Sequence, residues 1–146
     1  MSSFRQLILP AEVRSREFDA RILQGLLAVH QGWRVVLGSK AMINRNIWCF
    51  ANGIYLCQTL TKRRAAMLRL LEKLGMPSVG WCDEGLIYQS REVYLMRRVA
   101  PQTLSKLSAL VAWGEQSKED LDVMASPMGL PARALGNPGW TCCGRS

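Results

Sequence analysis

Apolar positions along this chain fall into two alternating rhythms. QLILPAEV, residues 6–13, is a short apolar run that reads as a buried strand leaving its sheet between Pro10 and Glu12. From Ser15 the spacing turns helical, with Phe18, Ile22, Leu26 and Val29 on one face, Ser15 as N-cap and Gly32 as the stop. WRVVLGSK then reads as a second buried strand closed by Gly38, Ser39 and Lys40, followed by a shorter helix over about residues 41–51. An Asn52-Gly53 turn introduces a third strand in NGIYLCQTL. TKRRAAMLRLLEKLGM predicts a helix with Met67, Leu71 and Leu74 in line and a basic opposite flank, the ordinary pattern of a surface helix. PSVGWCDEGLIY predicts a fourth strand, residues 91–106 a polar helical stretch, LSALVAWGEQ a fifth strand, SKEDLDVMA a helix, and PARALGNP a sixth strand ending at Asn137. Strands alternating with helices predict an α/β, Rossmann-like single domain: a mostly parallel sheet with helices on both faces.

That architecture gives the polar residues a common address. Glu12, Arg14, Arg16, Glu17 and Asp19 follow the first strand, Lys40 the second, Asp83 and Glu84 the fourth, Glu115 the fifth and Asn137 the sixth. In an open α/β sheet such loops meet at the carboxyl edge, where ligands of these folds bind. Arg14, Arg16 and Lys40 suit anion contacts, aided by free amides at helix N-termini. Each residue also fits a plainer role. Arg16 and Asp19, three apart, make an ordinary intrahelical pair, and Asp83-Glu84-Gly85 makes an ordinary turn. Were Asp83 and Glu84 in a cleft, their mutual repulsion would raise one carboxyl pKa, the condition for a general acid or base. His30, near the end of the first helix, reads as a helix-end residue.

Composition narrows the classes of function. A net charge of +8 favours polyanionic partners, but the cations lie in short clusters such as Lys62-Arg63-Arg64 and Arg97-Arg98. Trp33, Trp48, Trp81 and Trp113 lie in apolar patterns, so no base-stacking platform is evident and a specific nucleic-acid partner is not expected. A basic domain binding nucleic acid weakly and salt-dependently stays open as an alternative. Neither GxGxxG after the first strand nor GxxxxGK[ST] is present, which disfavours a dinucleotide dehydrogenase or a P-loop enzyme. Five cysteines form no CxxC pair and have one histidine beside them, so neither a metal nor a disulfide framework is expected. Cys49, Cys57 and Cys82 read as small apolar packing residues. No run of roughly 20 apolar residues occurs, and the N-terminus lacks a signal peptide's apolar core, so a cytoplasmic protein is expected.

LPAEVRSREFDARIL, RVVLGSK, GIYL, DEGL, AWGEQ and GNP, in this order, resemble the bacterial family of surface carbohydrate biosynthesis proteins, over residues 6–138. The resemblance implies a glycosyltransferase-like protein of two Rossmann domains, of which this chain carries the N-terminal, acceptor-side one. It implies transfer of a glycosyl or related group from a nucleotide-activated donor to a saccharide or lipid-linked acceptor, at the inner face of the cell membrane for a lipid-linked one. No cofactor beyond that donor is implied. Glu17, Asp83 and Glu84 become candidate bases, with Glu12, Arg14, Arg16, Asp19, Lys40, Glu115 and Asn137 as substrate contacts. A non-catalytic module binding a nucleotide or phosphorylated saccharide is the alternative.

Two positions depart from the family's pattern: Cys57 and Gln58 replace an acid and a base, and Cys82 replaces an acid. After Pro138, GWTCCGRS replaces a family continuation that begins with arginine and reaches an aspartate. If it is encoded GGG TGG ACC TGC TGC GGC CGG, restoring one lost C reads Arg-Val-Asp-Leu-Leu-Arg-Pro. The expectation is a domain over residues 1–138 and a frameshifted, non-native tail over 139–146, with the donor-binding domain missing and the chain inactive alone.

Overall fold

The structure, a computed structural model, describes residues 5–50, 52–82 and 90–136, and the backbone alone of residues 14–16. In chain order the regular elements are β1 (Gln6–Ala11), α1 (Arg14–His30), β2 (Arg34–Ser39), α2 (Lys40–Arg45), β3 (Gly53–Cys57), α3 (Ala65–Lys73), β4 (Ser78–Trp81), α4 (Arg91–Arg98), α5 (Pro101–Leu104), β5 (Ala109–Ala112), α6 (Glu115–Ala125) and β6 (Ala132–Ala134). The strands form one parallel sheet in the order β2-β1-β3-β4-β5-β6, flanked by helices. This is the Rossmann-like α/β fold that the alternating rhythm predicts.

The elements gather into two compact units, one over residues 5–56 with Leu74–Met76, the other over Cys57–Lys73 and Pro77–Gly136. In the first, Leu9 and Ile8 are successive strand residues and so face opposite ways. Leu9 and Val35 lie under Gly25 of α1, whose missing side chain lets the helix come close: a Cβ there would stand 3.3 Å from Val35 Cγ1. On the side of Ile8, its neighbour in register Tyr55 donates a hydrogen bond from its hydroxyl to Asn44 Oδ1 of α2 at 2.8 Å. Gly32, at φ +82°, ends α1 in a left-handed turn where the Trp33 amide reaches Ala28 O at 3.0 Å and the Gly32 amide reaches Val29 O at 2.9 Å.

In the second unit, Leu60, Leu107 and Leu110 crowd Gly80 of β4 so closely that a Cβ would stand under 3 Å from each. Leu68 and Leu71 of α3, Leu104 of α5 and Leu121 of α6 are fully buried. Thr103 is also buried and donates its hydroxyl to Thr61 O at 2.9 Å, which satisfies a polar group inside an apolar layer. Ser90 caps α4 by accepting from the Val93 amide at 3.3 Å.

Several details differ from the sequence reading, among them the end of the sixth strand, which is Ala134 and not Asn137. β2 is an edge strand and only half-buried, since a single neighbour covers it. The stretch over residues 91–106 is two helices, because Pro101 pushes Ala100 into an extended conformation (φ −103°, ψ 127°) and ends the first before it. In α3 the buried residues are Ala65, Leu68 and Leu71, so the core stripe sits beside the expected one through Met67 and Leu74. Most consequential is α1, which turns Ile22, Leu26 and Val29 outward. Its sheet side is Glu17, Ala20, Arg21 and Gly25. Trp48 and Cys49, read as members of an apolar pattern, are exposed as well, Trp48 at 62%. Cys57 and Cys82 are buried, as expected of packing residues.

Candidate functional site

The carboxyl ends of β1 and β2 lie side by side, because the parallel register pairs Ala11 with Ser39. The residues that come next, Glu12 and Lys40, are far apart in the chain and adjacent in space: the Lys40 ammonium donates to Glu12 Oε2 in an ion pair. Lys40 is not a loop residue, as its place after the strand suggested, but the first residue of α2, with 8% of its surface exposed. Glu12 is more open, its side chain about half exposed. The pair therefore has one end held in the protein and one facing solvent.

Glu17 completes the arrangement from below. It is 5% exposed, and its Oε2 accepts a hydrogen bond from the Glu12 backbone amide at 2.9 Å, while its own amide donates to Val13 O at 3.0 Å. α1 begins at Arg14 with Val13 as its cap residue, and Val13 offers no capping oxygen. The carboxylate of Glu17 serves in its place, reaching back beyond the cap residue to the amide before it, in the manner of a capping box. Ser15, the expected N-cap, is the second helical residue. The loop between β1 and α1 is thus tied at two points, its backbone to Glu17 and its side chain to Lys40.

Asp19 is exposed on α1. Arg14 and Arg16 stand on the first turn of α1, and their side chains lie outside the described residues, as does any pairing of Arg16 with Asp19. Asp83, Glu84 and Asn137 also lie outside the described residues. Glu115 belongs to the other compact unit, where it is the exposed first residue of α6 and not a loop residue. Its charge there complements the helix dipole. His30 is the last residue of α1, as its helix-end reading requires.

Arg21 escaped the sequence reading. It is 2% exposed, and its Nη1 donates to Gln24 Oε1 at 2.7 Å. Glu17, Arg21, Gln24 and Ala28 recur at intervals of four, three and four, one helical face. That spacing was visible, but tracing the apolar residues alone selects the opposite side.

In the second unit Cys57 and Gln58, at and after the end of β3, and Cys82, just after β4, are buried. Cys57 Sγ donates to Thr59 O at 3.1 Å, and Trp113 Nε1 donates to Cys82 O at 2.5 Å, fixing the end of β4 to the turn after β5. Among the described residues, no three His, Cys, Asp or Glu side chains gather as a metal site would require. No described helix is long and apolar enough to cross a membrane.

What this rim can do chemically follows from its parts. Glu12 offers a carboxylate to a ligand hydroxyl, Lys40 a partly screened positive charge, and Glu17 keeps the loop between them in one shape. Compared with known proteins, the chain matches no family model and no curated protein.

Proposed function

We propose that this chain is the acceptor-side domain of a bacterial surface-polysaccharide transferase. It holds a saccharide or lipid-linked acceptor while a second domain presents a nucleotide-activated donor. In the reaction a base takes the proton of the acceptor hydroxyl, the freed oxygen bonds to the donor's transferred centre, and the nucleotide departs with the bonding electrons. Glu17, Asp83 and Glu84 are the candidate bases, and Arg14, Arg16 and Lys40 the anion contacts. On this reading the chain works in the cytoplasm, at the inner face of the membrane when its acceptor is lipid-linked.

The observation that carries the reading is the Glu12–Lys40–Glu17 arrangement at the ends of β1 and β2. It is assembled from the very motifs, LPAEVRSREFD and LGSK, on which the family resemblance rests. A second reading, a module that binds a nucleotide or phosphorylated saccharide without turnover, is favoured by the burial of Glu17. A carboxylate engaged with the Glu12 amide acts as a positioning group more readily than as a base.

Titration of the chain with hexose 1-phosphates and, separately, with nucleoside diphosphate hexoses tests both, followed by amide chemical shifts. Both readings predict that the saccharide phosphate shifts the Glu12, Val13, Ser39 and Lys40 amides, and that Lys40→Met weakens its binding on the order of tenfold, one charge-assisted hydrogen bond. Shifts from the nucleotide sugar alone would give the lead to the binding module. Silence from both probes would overturn the two readings together.

A further inference from the structure

We propose that the outward face of α1 is a self-association surface on which a second copy of this chain docks, the two α1 helices running antiparallel. Ile22, Leu26 and Val29 recur at four and three residues, the spacing of a helix–helix seam. All three are exposed, Leu26 at 63%, and Leu27, about 100° further round the helix, is exposed too. The side of α1 toward the sheet holds Glu17, Ala20, Arg21 and Gly25 in their place. This helix turns two charges inward and four large aliphatic side chains outward, the reverse of a surface helix that ends in water.

The ends of the stripe say what covers it. Asp19, exposed, lies one turn before Ile22; His30, exposed, directly follows Val29. Beyond His30 the same end carries Arg5 and Arg34, joined by the Arg34 amide donating to Arg5 O at 2.9 Å. One end of the stripe bears a carboxylate and the other is basic. Antiparallel pairing about a two-fold axis between Ile22 and Leu26 sets Asp19 of each copy against the basic end of the other, and symmetry makes that complementary contact twice. A parallel pair would set like on like. An anionic bilayer would meet Asp19 unfavourably, so a second copy is the better fit. One helix face is a small interface, below about 1,200 Å² in total, the range of transient assemblies.

Sedimentation equilibrium of the full 146-residue chain tests this over a range of concentrations reaching hundreds of micromolar. The expected result is a reversible monomer–dimer equilibrium. Leu26→Glu, at a position too exposed to disturb folding, is expected to weaken it roughly 30-fold or more, the size of an interface hot spot. Asp19→Arg is expected to weaken it several-fold, and Asp19→Arg with His30→Asp to recover most of the loss. Unchanged circular dichroism and melting temperature show each variant folded. A wild-type monomer at every concentration overturns the proposal, as does a Leu26→Glu variant that still dimerises. So does a monomer that instead floats with phosphatidylglycerol vesicles.

Discussion

Two helices of this protein, α1 and α3, both carry large aliphatic side chains and dispose of them in opposite ways. α3 buries Ala65, Leu68 and Leu71 and leaves Arg69 and Lys73 in water, as an amphipathic helix does. α1 keeps Glu17 and Arg21 on its buried side, where the loop of the candidate site needs a carboxylate, and exposes Ile22, Leu26, Leu27 and Val29. Hydrophobic periodicity finds both helices. It comes within one stripe of the packed face in α3, where that face has no polar work to perform, and misses it in α1. In α1 the loop at the carboxyl edge recruits Glu17 inward, and Gly25 and Ala20 supply the small contacts that let the backbone approach the sheet.

Truncating one leucine in each helix separates the two most strongly. Leu68→Ala is expected to cost about 2–5 kcal/mol, because a fully buried side chain leaves a cavity, while Leu26→Ala should stay within roughly 0.5 kcal/mol. Equilibrium urea unfolding at a concentration low enough to keep the chain monomeric checks both. Equal costs would mean that α1 packs with its aliphatic face inward after all. Arg21→Ala comes next: loss of a buried, hydrogen-bonded cation is expected to cost about 1.5–3 kcal/mol, against near zero for the exposed Arg69→Ala of α3. The same unfolding curves decide that contrast.

The smallest expected effect lies in α4, a helix with an acidic first turn and a basic last turn. A hydrogen bond to its own backbone amide, and then one from Ser90, holds the Glu92 carboxyl below the usual carboxylate range. A depressed folded-state pKa adds stability above the unfolded-state value, and that stability is lost as pH falls through the folded one. Glu92→Gln is therefore expected to flatten slightly the acid limb of the stability profile below the ordinary glutamate range. Melting temperatures measured from neutral to acidic pH would refute this if wild type and variant ran parallel.

All six strands were legible because each is a short apolar run bounded by turn residues, and the Asn52 turn, with φ +69°, took the left-handed conformation its type allows. What sequence could not supply was neighbourhood. Glu12 and Lys40 were both visible at strand ends, yet their pairing depends on β2 lying beside β1, a fact of sheet order. The same order makes β2 an edge, so a run as apolar as RVVLG is only half-buried. Lys40 and Glu115 were placed in loops because both follow strands directly, and each in fact opens a helix. Arg21 is hidden from sequence because a charge inside a helical pattern reads as solvated until its own face is traced.

The strand order also sets a timetable for folding. β1 finds β2, β4 finds β5 and β5 finds β6 after a single intervening crossover, whereas β1 meets β3 only after β2 and α2 have been laid aside. Short closures form first, since the entropy of bringing chain ends together rises with the length between them. The carboxyl end of β1 gains its partner Ser39 in one of these short closures, so the β1–α1–β2 unit that carries Glu12, Glu17 and Lys40 is expected to form before the longer closure of β1 on β3.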